Sequence, residues 1–296
     1  MAEPVKRLTH YDFKAMKQQG VKATSITAYD YPFAKMCDQA GIDLIICGGS
    51  VGMVCLGYET TVPVTMEQLI HHLKAVTAAA KRALVVGPLP FGYYQASDED
   101  AIRNSIRMIK EAGVQSTKIE GAGIMANRIR AVVNAGIPCM AHLGVTPQYY
   151  AMMGGYRAKG RQAAEAKKIL DQALAVQDAG AWAIELECVA APVAEYITEK
   201  LDVPTLGTGA GVGCDIQGLI LHDVLGMFDP DRHTPKHSKQ YVNLWQIAVE
   251  ALQRFDQEVK AKQFPAKANT FKISDEELKG FFELVGEPDR FKPQEP

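Results

Sequence analysis

Residues 117–143 read TKIEGAGIMANRIRAVVNAGIPCMAHL, and this stretch decides the fold. A short β-branched run, Thr117–Glu120, gives way to a helical stretch that stops at Ala135-Gly136. A second apolar run, Cys139–Leu143, begins almost at once. Glycine just past a helix supplies the left-handed cap, so the chain can turn directly into a new strand. The same punctuation recurs at Ala40-Gly41, Ala112-Gly113 and Ala179-Gly180. Further runs at Thr24–Tyr29, Leu44–Cys47, Leu84–Val86, Ala183–Cys188 and Thr205–Gly207 complete seven strands, and GLILHDVLG at 218–226 is the eighth candidate. Continuous apolar strands alternating with helices indicate a parallel sheet covered by helices. Eight of them favour a closed (β/α)8 TIM barrel with an N-terminal helix over an open doubly wound sheet. No GxGxxG follows the first strand, which argues the same way.

Downstream, SKQYVNLWQIAVEALQRFDQEVKAKQ at 238–263 spaces Val242, Trp245, Val249 and Leu252 for one buried helical face. The reading is therefore a barrel domain over 1–265 and a C-terminal helical arm over 266–296, carrying ISDEELKGFFELVG. That arm is expected to pack on the barrel or on a neighbouring subunit.

Composition narrows the class. The 296 residues are 47% hydrophobic and 22% charged, ordinary for a soluble globular chain. A formal net charge of -2 gives no bulk attraction to nucleic acid or to an anionic membrane. The opening MAEPVKRLTHYDF lacks the apolar core of a signal peptide, and no apolar run is long enough to span a bilayer. The six cysteines form no CxxC pair and mostly lie in apolar segments, as free thiols in a reducing cytoplasm would.

In such a barrel, chemistry sits at the C-terminal ends of the strands. Those ends carry Tyr29 and Asp30, Ser50, Lys118 and Glu120, His142, Glu185 and Glu187, and Asp215. Carboxylates, a histidine and a lysine on one rim point to an enzyme. Glu185 and Glu187 share a strand face if the strand is regular. Glu185 is then either a helper or a partner in a structural ion pair. Tyr93, Tyr94, Tyr149, Tyr150, Met152 and Met153 follow the third and fifth strands, either as walls for a bulky substrate or as packing between loops.

The same residues resemble those of the ketopantoate hydroxymethyltransferase family. The matching segments are TAYDYPFAK (27–35), GSVGMVCLGYETTVPVT (49–65), KIEG (118–121), HLGVTPQ (142–148), GGYRAKGR (154–161), LECV (186–189) and GTGAG (207–211). The resemblance implies a TIM barrel, assembly into a large, decamer-like homo-oligomer, and a small-molecule carbonyl substrate. It further implies transfer of a one-carbon unit from methylenetetrahydrofolate to the α-carbon of a 2-keto acid chelated by magnesium. By the same resemblance Glu187 is the catalytic base, and Lys118 and His142 contact substrate. Glu120 matches the acidic residue near the family's metal, and Ser50, Gly49, Glu120, Tyr29 and Tyr94 are read as substrate-binding.

One departure cuts across the match. The family's two metal-holding aspartates fall at Gly49 and Pro88, and neither residue offers a side-chain oxygen. Without a metal, an oxyanion still needs positive charge or donors, which Lys118, His142 and the Gly49–Ser50 backbone could supply. Three readings follow. The first keeps the family reaction, magnesium-dependent hydroxymethyl transfer to a 2-keto acid. The second dispenses with magnesium and makes or breaks a C–C bond beside a carbonyl, transferring or releasing a one-carbon unit. Alternatively it is a metal-independent hydrolase or lyase acting on a bulkier, aromatic ketone. The third reading is a non-catalytic binding protein, against which the retained Lys118, Glu120, His142 and Glu187 argue.

Overall fold

The computed structural model describes residues 6–228 and 234–293. Eight parallel strands close on themselves in sequence order: β1 (Ala23–Thr27), β2 (Leu44–Ile46), β3 (Leu84–Pro88), β4 (Ser116–Glu120), β5 (Cys139–Gly144), β6 (Ile184–Glu187), β7 (Thr205–Thr208) and β8 (Ile216–Ile220). The last closes against β1, with Thr27 opposite Ile220. The expected TIM barrel is present.

Alternation along each strand sorts the apolar side chains into two cores. Leu44, Ile46, Leu84, Val86, Met140, Ala183, Leu206 and Ile216 fill the barrel interior. Ile45, Val85, Ile119, Ala141, Ile184 and Leu186 belong to the cluster that includes the surrounding helices. The N-terminal helix His10–Gln18 adds Phe13 to the inner set, its ring 5.7 Å from that of Trp182. One end of the barrel is thus packed shut, leaving polar side chains to collect at the other.

Local signals explain the helices. Asp30 caps Tyr31–Gln39 by accepting from the Phe33 N–H, and Thr65 with Gln68 forms a capping box on Met66–Ala79. Asp30, a rim candidate by sequence, therefore has a structural role. At the expected helix stop, Gly113 adopts φ +73.

The eighth strand ends at Ile220, and Leu221–Leu225 of the expected strand is a short helix instead. This places Asp215 directly before β8, at the strand's start. There it pairs with Lys17 at 2.9 Å and accepts from the Thr205 N–H at 2.9 Å. Asp215 is a brace of the N-terminal side, not a rim residue.

The chain divides into two compact units, Met1–Val242 and Asn243–Pro296. The second takes in the helix Leu244–Lys260, which the sequence reading assigns to the barrel. Its expected buried face is not buried: Val242, Trp245 and Leu252 are exposed and Val249 is half-buried. Hydrophobic spacing shows that a helix has an apolar face, not that its own chain covers it. The second unit also contains the helix Asp275–Leu284, capped by Ser274. Among the described residues no helix is long and apolar enough to cross a membrane.

Candidate active site

Strand register assembles the site. Glu120 on β4 lies opposite His142 on β5, and His142 lies opposite Glu185 on β6. Glu187, two residues beyond Glu185, aligns with Thr208 on β7. Lys118 is two residues before Glu120 and shares its face. All these side chains line one cavity of about 280 Å³, together with Gly49, Ser50, Thr61, Pro88 and Tyr156.

Two linked clusters of charge occupy its floor. Lys118 Nζ donates to Glu185 Oε2 in a buried ion pair, and Glu185 Oε1 accepts from the Thr208 hydroxyl at 2.9 Å. His142 stands beside them, with Nε2 3.1 Å from Glu187 Oε2 and Nδ1 3.6 Å from Glu120 Oε1. Close approach is not alignment, and neither ring nitrogen completes a hydrogen bond within the protein.

Electrostatics fix the charge states of three of these groups. Burial would lower the His142 pKa, but Glu185 and Glu120 outweigh it, against the opposition of Lys118, and raise it to about 10. Burial likewise opposes the charged form of Lys118, yet Glu185 and its hydrogen bond leave its pKa raised. Burial would raise Glu185, but Lys118 and His142 drive it down. The neighbouring carboxylates thus favour the cationic forms of both the lysine and the imidazole.

The loops hold this arrangement. Glu120 Oε2 accepts from the Gln148 N–H at 3.0 Å, and Gln148 Nε2 donates to the Leu89 carbonyl at 2.8 Å. Gly144, at φ +91, lets the end of β5 cross the Glu187 backbone, where a Cβ would stand 2.2 Å from the Glu187 carbonyl oxygen. Val145 then donates its N–H to that same oxygen at 2.8 Å.

Two sequence candidates are placed one step back from the cavity. Tyr29 is buried and donates its hydroxyl to Ser50 Oγ at 2.8 Å, so Ser50 faces the cavity and Tyr29 braces it. Tyr94 is fully buried and donates to Gln148 Oε1 at 2.7 Å, supporting the rim and not lining it. The aromatic clusters after β3 and β5 do not form the cavity wall: Tyr93, Tyr149, Tyr150, Met152 and Met153 are absent from its lining, and Met152 is 84% exposed. The apolar wall comes instead from Ile46, Met53, Val54, Leu206 and Leu219. Thr61, which the sequence reading passes over, also lines the cavity, and its buried hydroxyl has no partner.

At the two positions assigned by resemblance to metal-holding aspartates, the structure has no oxygen donor to offer from a side chain. Gly49 precedes a single helical turn, Ser50–Val54, and a Cβ there would meet the Thr61 Cβ at 3.0 Å. The Pro88 ring packs so closely on Gly48 that a Cβ on the latter would lie 2.8 Å from its Cγ. Among the described residues the group able to surround an ion is His142, Glu185 and Glu187, with ligand atoms within 4.8 Å of one another. The Lys118 ammonium already engages one of the three, Glu185. Magnesium takes oxygen ligands in a near-octahedral shell, towards which the side chains of this group bring two carboxylates and one imidazole.

Comparison with known proteins agrees with the motifs. The family model for ketopantoate hydroxymethyltransferase matches residues 7–267. The 3-methyl-2-oxobutanoate hydroxymethyltransferase of Carboxydothermus hydrogenoformans is 47% identical over 93% of this chain and 99% of its own length. The enzyme of the same name from Moorella thermoacetica is 50% identical over 90% of this chain and 98% of its own. Among solved structures, phosphonopyruvate hydrolase in complex with oxalate and magnesium superposes with a TM-score of 0.55 at 14% identity, covering 96% of this chain and 99% of the other. A 2,3-dimethylmalate lyase of the PEP mutase/isocitrate lyase superfamily gives 0.54 at 15%, covering 94% and 99%. These last likenesses establish the barrel alone.

Proposed function

The chain belongs to the ketopantoate hydroxymethyltransferase family, and we propose that it adds a one-carbon hydroxymethyl unit to the α-carbon of a small 2-keto acid, ketoisovalerate above all, without a bound magnesium ion. One observation carries the metal-independent part: a buried lysine and a buried histidine stand among three glutamates lining the cavity, while the positions that the resemblance assigns to metal ligands carry glycine and proline.

The steps follow from these groups. Glu187, whose side chain is 21% exposed at the cavity, takes the α-proton of the keto acid. The C–H electrons move into the enolate, whose oxygen is met by the Lys118 ammonium and one imidazole N–H of His142. Ser50, steadied by Tyr29, and Thr61 offer hydroxyls to the substrate carboxylate. The enolate carbon then forms the new C–C bond to the one-carbon unit. Methylenetetrahydrofolate, implied by the resemblance, would supply that unit at the formaldehyde oxidation level. Its two C–N bonds to the methylene break, and water gives its oxygen to the carbon and its two hydrogens to the folate nitrogens. Tetrahydrofolate leaves, and the proton taken by Glu187 ends on the new hydroxyl.

The cavity's size and aliphatic wall support a small branched keto acid. Tyr156 lines the cavity, but Tyr93, Tyr94, Tyr149 and Tyr150 lie outside it, which weighs against the hydrolase or lyase reading on an aromatic ketone. The test is product analysis: purified protein with ketoisovalerate and methylenetetrahydrofolate should yield ketopantoate, and with D₂O in place of H₂O should exchange the α-proton of ketoisovalerate. Neither product nor exchange would reject the reading.

A further inference from the structure

Glu185 has no role in the mechanism above, yet it is one of the most constrained side chains in the barrel. It is 5% exposed, and both carboxylate oxygens are engaged: Oε2 by the Lys118 ammonium and Oε1 by the Thr208 hydroxyl at 2.9 Å. Three strands contribute to this chain, with Lys118 on β4, Glu185 on β6 and Thr208 on β7, and His142 of β5 stands between the first two. A carboxylate tied at both oxygens cannot rotate, so the ammonium it grips cannot wander either. Lysine otherwise carries its charge on a flexible four-carbon stem. A metal ion held by rigid ligands has no such freedom, and a lysine that does a metal's work must lose it.

We propose that Glu185 and Thr208 are positioning residues, forming a clamp that holds the Lys118 ammonium at the point where the enolate oxygen develops charge. The inference rests on the metal-independent reading above and adds to it. The groups facing the clamp are Glu120 on β4, His142 on β5, whose Nδ1 is 3.9 Å from Glu185 Oε2, and Glu187 on β6. None replaces Thr208, the hydroxyl that fixes the second oxygen.

The test is a double-mutant cycle read in turnover. Glu185→Gln and Thr208→Val should each lower kcat at least tenfold while KM for the keto acid changes less than threefold. In a Lys118→Met background neither should cost anything further, because a clamp with nothing to hold has no effect. A structural role predicts the opposite, with losses that multiply independently of Lys118 and a KM that moves with kcat. Additive losses, or full activity in Thr208→Val, would overturn the clamp. Thr208→Val keeps every charge and should fold even if Glu185→Gln does not. A second readout stands apart from turnover. Oxalate, a planar dianion resembling a pyruvate enolate, should bind the wild type in EDTA and bind Thr208→Val at least fivefold more weakly. If the wild type binds oxalate but neither exchanges nor transforms any keto acid, the proposed function fails and the clamp stands on the oxalate result. If Thr208→Val binds oxalate as the wild type does, the clamp fails whatever the substrate.

Discussion

His142 Nε2 lies 3.1 Å from Glu187 Oε2, close enough for strong attraction but not aligned as a hydrogen bond. The pair shares charge without consuming the N–H that a substrate oxygen needs. It also leaves Glu187 anchored through its backbone and not through its side chain. Placement and reactivity are thus kept apart.

That histidine makes stability depend on pH in a definite direction. Its folded-state pKa is raised to about 10, against about 6.5 for an unhindered imidazole. Stabilisation from protonation is therefore complete below about pH 6.5 and is lost as pH rises through 10. His142→Asn should cost a few kcal/mol at pH 6, on a scale of ~1.4 kcal/mol per pKa unit. At pH 10 the cost should shrink markedly. Urea unfolding of both proteins at the two values checks this, and an equal loss at each pH would refute it.

Replacing Glu187 by glutamine removes the proton acceptor and preserves its shape. The expected outcome is a fall in kcat of about 10²–10⁴-fold with KM little changed. Loss of α-deuterium exchange should accompany it. A variant that exchanges normally would assign the base elsewhere.

Gly144→Ala is a test of placement. The added Cβ would stand 2.2 Å from the Glu187 carbonyl oxygen, at a backbone φ of +91. Such a position accepts only glycine without strain, at a cost of about 1–3 kcal/mol before the clash is counted. Turnover should fall together with the melting temperature. A variant as stable and active as the wild type would show that the crossing of β5 over β6 is not needed.

Much of this arrangement could be read before the fold was known. Apolar runs punctuated by Ala-Gly mark the strands, and Lys118, Glu120, His142 and Glu187 all reach the cavity as their positions imply. The failures share a cause. Asp215 looks like a rim residue only if the eighth strand begins at 218, and two residues of difference move it to the barrel's other end. Tyr94 follows β3 as expected, but whether its ring faces cavity or loop depends on Gln148, 54 residues away. The Lys118–Glu185 pair spans two strand boundaries, so only closure of the sheet reveals it. The exposed face of Leu244–Lys260 shows the limit of periodicity from the other side.

Restoring the carboxylates gives a converse prediction. Gly49→Asp with Pro88→Asp returns two oxygen donors to the strand ends and frees the space that the Pro88 ring takes beside Gly48. Thr61 needs to yield only slightly, since the new Cβ meets its own at 3.0 Å. Magnesium affinity measured by calorimetry should rise at least tenfold over the wild type. Equal affinity in the two proteins would mean that these positions are not where a cation is held.

The most direct measurement is the rate of hydroxymethyl transfer to ketoisovalerate by protein freed of metal with EDTA, before and after magnesium is added back. A lysine and a protonated histidine that stabilise the enolate unaided predict full activity in chelator and no gain from magnesium. Activity that vanishes with EDTA and returns with magnesium would contradict the account.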